Sequence, residues 1–240
     1  MTRLVRSPIF ILSSIRSGST LLRCILNSHT QVHAPHELHL MDIRVSLASA
    51  YAELAVSAGD LHVAELEHLL WDRLLHRSLQ ASGKDHIVDK TPGNALHWRR
   101  LVECWPQARF VFLLRHPAQI LESAYAANLE QDPEETKEIV LSLAGGVDEA
   151  RHVLPGLVVR YEELAADPAQ VTADVCAHLG VAFEPSMLNY RVPDHLVPGI
   201  GDFTDNIRTG RVQLPRPLAG AVGPDLADLC QRWGYADASA

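Results

Sequence analysis

Five apolar residues, Pro8-Ile-Phe-Ile-Leu12, run without polar alternation into Ser13-Ser-Ile-Arg-Ser-Gly-Ser-Thr20, after which Leu21, Leu22, Ile25 and Leu26 recur at helical spacing. A run of this length with no polar side reads as a strand covered on both faces. A strand feeding a short small-residue loop and then a helix commits the chain to alternating α/β architecture. The order repeats: Phe110-Val-Phe-Leu-Leu114 precedes Arg115-His-Pro117 and a helical stretch carrying Ile120, Leu121 and Tyr125, with Pro117 suited to a first turn. Leu157-Val-Val-Arg-Tyr161 reads as a third strand, and Ile87-Val88 as a fourth. The expected fold is a three-layer α/β/α domain with a central parallel sheet, its ligands bound in the loops beyond the strand C-termini.

Between the strands, Ala64 to Leu79 places Leu66, Leu69, Leu70, Leu74, Leu75 and Leu79 on one stripe, and Glu134 to Val147 reads as another helix. A closing helix is expected over Asp225 to Trp233, whereas Val192 to Pro217 is rich in Pro, Gly, Asp and Arg and shows no period. With 240 residues, 47% of them apolar, the chain supports one core, so residues 1–240 are expected to form a single domain. Cys24, Cys104, Cys176 and Cys230 are scattered without C-x-x-C spacing, and the thirteen His show no ligand spacing, so buried thiols and no metal are expected. A net charge of −8 argues against nucleic acid as a partner, although an anionic cofactor depends on local donors instead. No stretch approaches the roughly 18 apolar residues of a membrane span, and the apolar run at 8–12 is short for a signal peptide, so a cytoplasmic location is expected.

The loop at 13–20 carries the strongest chemical signal. Backbone amides at a helix N-terminus, the hydroxyls of Ser19 and Thr20 and the charge of Arg16 together make a site for phosphate or sulfate. It is not a Walker A loop, which needs an earlier Gly and a Lys that this loop lacks. A nucleotide kinase of P-loop type therefore stands as an alternative that predicts Mg²⁺ dependence.

Four segments, in order, resemble the 3′-phosphoadenosine 5′-phosphosulfate (PAPS)-dependent sulfotransferases. Arg16-Ser-Gly-Ser-Thr20 looks like that family's 5′-phosphosulfate loop, and Arg115-His-Pro117 with Ser123 like its 3′-phosphate motif. Asp89-Lys-Thr-Pro92 is similar to the family's [DE]-K-T-P segment, and Arg160-Tyr-Glu-Glu-Leu164 with Asp167-Pro168 to its R-Y-E-D-L…D-P segment. Pro35-His-Glu-Leu-His-Leu40 most resembles the bacterial branch that includes sulfotransferase domains of polyketide assembly lines. Two positions depart from the pattern: Leu21 stands where small-molecule members carry an adenine-stacking Trp, and Ile15 where this branch usually has Pro.

The resemblance implies transfer of a sulfuryl group from PAPS to a hydroxyl of a small-molecule or acyl-carrier-bound acceptor, releasing adenosine 3′,5′-bisphosphate (PAP) without a metal. Arg16, Ser17, Gly18, Ser19 and Thr20 would cradle the 5′-phosphate and the bridging oxygen. Arg115 and Ser123 would take the 3′-phosphate, Tyr161 would lie near the adenine, and Arg208, Thr209, Gly210 and Arg211 look like the late R-x-G loop that closes over the 3′-phosphate. Lys90 resembles the lysine that reaches the transferring group. Because an acceptor hydroxyl must lose its proton, a general base is needed. Glu37 is the first choice and His39 the second; on an extended segment the two would share a face. Helices over about 41–80 and 129–150 are expected to wall the acceptor site, their apolar character hinting at a lipophilic or acyl-like acceptor. A non-catalytic PAP-binding module is the remaining alternative.

Overall fold

A computed structural model describes residues 2–128, 130, 132–190, 205–213 and 223–235. Five strands, β1 (Ile9–Ser13), β2 (Val32–His33), β3 (His86–Asp89), β4 (Arg109–Leu114) and β5 (Leu157–Arg160), form one sheet in the order β2-β3-β1-β4-β5. Every pairing is parallel. The expected α/β fold is thus observed, with β2 as a strand that sequence periodicity missed.

Although β1 and β4 are apolar throughout, their side chains divide by alternation. Phe10, Leu12, Phe110, Phe112 and Leu114 enter one core layer with Trp71, Trp98, Trp105 and Val147, while Ile9, Ile11, Val111 and Leu113 enter another with Leu22, Ile25 and Val175. A strand buried on both faces needs this double set, which is why its sequence shows no polar beat.

Helices α1 (Ser19–Asn27), α2 (Ala50–Ala58), α3 (Val63–Ser82), α4 (Trp98–Cys104), α5 (Pro117–Ala126), α6 (Pro133–Val153), α7 (Tyr161–Ala166), α8 (Pro168–Leu179), α9 (Asp205–Arg208) and α10 (Pro224–Arg232) complete the described structure. Local chemistry sets several boundaries. The Asp132 carboxylate accepts the Glu134 N–H at 2.9 Å ahead of Pro133, and Asp167 accepts the Gln170 N–H at 3.1 Å ahead of Pro168. Gly83 and Gly180 end α3 and α8 in left-handed conformation. Gly146 lets α6 lie against the 92–96 turn, since a Cβ there would stand 2.3 Å from the Ala95 carbonyl oxygen.

The helical wall expected over 41–80 is broken. A 3-10 turn at Leu40–Asp42 leads through residues without regular structure to α2, which buries none of its residues, and α3 meets the core through Trp71 and Leu75 beside the buried Glu67, His68 and Asp72, while Leu69 and Leu70 of the expected stripe are exposed. On the other side the wall begins at Pro133; residue 129, where it was expected to start, lies outside the described residues. The closing helix forms one residue earlier than expected, and most of the aperiodic 192–217 segment lies outside the described residues.

Candidate functional site

Register brings the expected site residues to one edge of the sheet. Ser13 pairs with Leu113 and Leu114 with Arg160, so the turns leaving β1, β4 and β5 start side by side. Beyond β1, Arg16 adopts φ 59 and Gly18 φ 86, two left-handed residues that fold the loop back before α1 begins. Such a φ disfavours a β-carbon, so the Arg16 conformation is held by its surroundings. Arg115 Nη1 donates to the Arg16 carbonyl oxygen at 2.7 Å, and Arg16 Nε donates to Ser123 Oγ at 3.2 Å. The two turns expected from sequence to bind anions are therefore in direct hydrogen-bond contact.

Tyr161 opens α7 and lies between them. Its ring sits over Gly18, where a Cβ would be 2.3 Å from Cδ2, and the Arg115 guanidinium lies 4.7 Å from the ring centroid. Burial pulls the Arg115 pKa below its ordinary value, opposed by the neighbouring Tyr161 and Glu162. The first intrahelical bond of α1 runs from Leu22 N–H to the Gly18 carbonyl, leaving the preceding amides to the loop side. Ser17 Oγ is buried without a hydrogen-bond partner, as is Ser13 Oγ. Orphaned hydroxyls, helix-start amides and two guanidinium groups suit a multiply charged phosphate ester.

On the far side of β1, the end of β3 carries a second cluster. Lys90 is 2% exposed and forms an ion pair with Oε1 of the buried Glu37. Glu37 Oε2 lies 3.3 Å from His39 Nε2, and His39 Nδ1 lies 3.1 Å from Asp42. Desolvation lowers the Lys90 pKa, with Glu37 pulling it back up and Arg23 adding to the depression. Asp89, wholly buried, has its pKa raised by the same cause while accepting hydrogen bonds from Asn94 at 2.7 Å and Thr91 at 3.1 Å. Glu37 and His39 meet as expected, but not by extended alternation: His39 has φ 47, so the chain turns to bring the imidazole onto the carboxylate.

The late loop follows α9. Gly210 has φ 69, the Arg211 N–H donates to Thr209 Oγ1 at 3.3 Å, and Asn189 forms a bridge with Arg211. Ile207 and Tyr190 anchor this segment in the α1/α8 core layer, while Arg208 and Arg211 are exposed. Between α5, α6 and α10 there is also a cleft of about 160 Å³, lined by Leu121, Glu122, Tyr125 and Lys137 among others and by none of the expected site residues.

Sequence reasoning did not single out Arg23. It is 6% exposed in a row of buried apolar residues on α1, and that misplacement in an apolar helix was the available signal.

A family model described as "Sulfotransferase family" matches residues 8–185. The chain is 28% identical over 206 residues to nodulation protein NoeE of Sinorhizobium fredii, covering 71% of this chain and 49% of that protein, so it spans about half the length of this relative. Its fold resembles the sulfotransferase domain from the Synechococcus PCC 7002 olefin synthase, with a TM-score of 0.72 at 24% identity over 98% of this chain and 97% of that one. The sulfotransferase domain from the curacin biosynthetic pathway superposes with a TM-score of 0.67, also at 24% identity, over 98% and 99% of the two chains.

Proposed function

Because the chain belongs to the sulfotransferase family, we propose that it moves a sulfuryl group from PAPS to a hydroxyl of a small-molecule or carrier-bound acceptor and releases PAP. PAPS supplies a sulfuryl group already bonded to a good leaving phosphate. The residues of this chain position the reactants and neutralise charge, since such loose in-line transfers need little covalent help.

In this reading the 13–20 loop and the first amides of α1 hold the 5′-phosphate, with Arg16 nearest the oxygen on which negative charge grows. Arg115 and Ser123 hold the 3′-phosphate, and Tyr161 keeps Gly18 and Arg115 in register. Lys90 offers the transferring group a cation. Glu37, with His39 beside it, takes the acceptor proton. We place Arg208, Thr209, Gly210 and Arg211 over the 3′-phosphate. What supports a lipophilic or acyl-like acceptor is α2, whose Tyr51 and Leu54 are strongly exposed and which follows the Glu37–Asp42 segment in the chain.

The single observation carrying the assignment is the Arg115–Arg16–Ser123 connection, which brings two strand-end turns together in one site. It is tested by thermal denaturation with PAP and with adenosine 5′-phosphate. PAP should raise Tm by several degrees and adenosine 5′-phosphate far less, as ligand at a hundred times its Kd adds about 2.7 kcal/mol. Equal shifts would remove Arg115 and Ser123 from the 3′-phosphate. A screen of ³⁵S transfer from labelled PAPS to hydroxylated lipids, small alcohols and carrier-bound hydroxyacyl chains then assigns the acceptor class.

A further inference from the structure

Residues 34–39 carry Glu37 and His39 without any regular secondary structure, yet side chains from two elements hold them in place. From the end of β3, Thr91 Oγ1 accepts the N–H groups of Leu38 at 3.2 Å and His39 at 3.3 Å. From α1, Asn27 Oδ1 accepts the Ala34 N–H at 2.9 Å, and Arg23 Nη1 donates to the carbonyls of Ala34 at 3.1 Å and Pro35 at 3.2 Å.

Arg23 is the unusual member of this set. Leu21, Leu22, Cys24, Ile25 and Leu26 around it are all buried, and among the described residues no carboxylate pairs with its charge. Burying a guanidinium on neutral carbonyls is costly in desolvation, and a leucine in the same row would fill the volume without that penalty. The residue also belongs to the helix opened by Ser19 and Thr20, so it links the anion loop and the Glu37 segment through one rigid element.

We propose that Arg23 is a positioning residue for the Glu37–His39 pair, clamping the Ala34–Pro35 turn to α1 so that Glu37 meets Lys90 at a fixed distance from the phosphate loop. The role assigned to Glu37 rests on the function proposed above; the clamp itself does not. Its guanidinium touches no reacting atom, and its action is confined to where the 34–39 segment lies.

The test compares wild type, R23M and R23K as full chains. Amide hydrogen exchange followed by mass spectrometry should show peptides covering 34–40 exchanging at least tenfold faster in R23M, with peptides covering 13–22 unchanged and PAP affinity within threefold of wild type. R23K, which keeps a donor and a charge, should recover part of the protection. The ¹⁵N resonance of the His39 imidazole should move in R23M and return toward its wild-type position in R23K, a response that general loss of stability does not produce. Unchanged exchange over 34–40, or equal loss over 34–40 and 13–22, overturns the proposal. If R23M does not fold, R23K against wild type carries the same comparison. Failure of wild-type protein to bind PAP would count against the proposed function alone, because the exchange comparison needs no ligand.

Discussion

Lys90 and Glu37 are both almost wholly buried, so each depends on the other for compensation of its desolvation. Removing one partner strands the other: K90M should destabilise the protein by about 3–5 kcal/mol, read from urea unfolding. The double variant K90M/E37Q should regain much of that stability while remaining inactive in ³⁵S transfer. Equal stability of the single and double variants would mean that His39 alone satisfies the Glu37 carboxylate. The phosphate loop makes a separate prediction. An alanine at position 18 meets both φ 86 and the Tyr161 ring at 2.3 Å, so G18A should weaken PAP binding tenfold or more and displace Tyr161 from Arg115. Adding Y161A to G18A relieves the steric conflict and leaves the backbone strain, so PAP affinity should return only in part. Full recovery would show that the left-handed conformation is not needed.

At the scale of elements, the Thr91 hydroxyl is one of three side chains joining the end of β3 to the 34–39 segment, beside Asp89, whose Oδ1 accepts the Leu38 N–H at 3.4 Å, and Lys90, which pairs with Glu37. T91V keeps the shape of the side chain while leaving the His39 amide without its acceptor and the Leu38 amide with only the longer contact to Asp89, at a cost of about 1–3 kcal/mol for a buried amide left unpaired. Stability should fall and exchange at 34–40 rise, with PAP affinity retained; loss of PAP binding would place Thr91 in the donor site instead. This is also where legibility in the sequence divides. β1 and β4 were readable because burial on both faces forces an unbroken apolar run, and Pro117 announced α5. β2, with only Val32 and His33, is too short to show a period. Arg16, Glu37 and Lys90 were named by resemblance to family segments. Their pairing was not readable, because the path of 34–39 is set by side chains of other elements, Arg23 and Asn27 on α1 and Thr91, which stands 53 residues from Leu38. The same holds for the wall over 41–80: leucine spacing indicated the helix α3, but nothing local revealed that Leu69 and Leu70 would be exposed while Glu67 and Asp72 are buried, or that α2 would bury no residue.

Across the whole molecule, buried histidines tie stability to pH. Burial lowers the pKa of His33 to about 4, and it also depresses His68, His86 and His116. For His33, Lys84 and His36 add to the depression, and its Nε2 lies 3.0 Å from Ser78 Oγ. A histidine depressed on folding binds its proton more tightly in the unfolded chain, whose imidazoles titrate near about 6.5. Between that value and about 4 the unfolded state holds more protons at His33, so its contribution to stability rises with pH through this window and is lost as acid is added. Urea midpoints at pH 7.0, 5.5 and 4.5 should therefore decrease in that order, and the slope should flatten in H33Q, which retains a polar partner for Ser78 without the titration. Carboxylates whose pKa is lowered by ion pairing, Asp148 among Arg151 and Arg232 above all, add acid sensitivity at lower pH, as they protonate only below their ordinary range. The two contributions separate by range: H33Q should change the profile between pH 4.5 and 6.5, and D148N should act below it. An unchanged slope in H33Q would mean that the β2 edge opens enough in solution to hydrate its imidazole, removing the burial on which the depression depends.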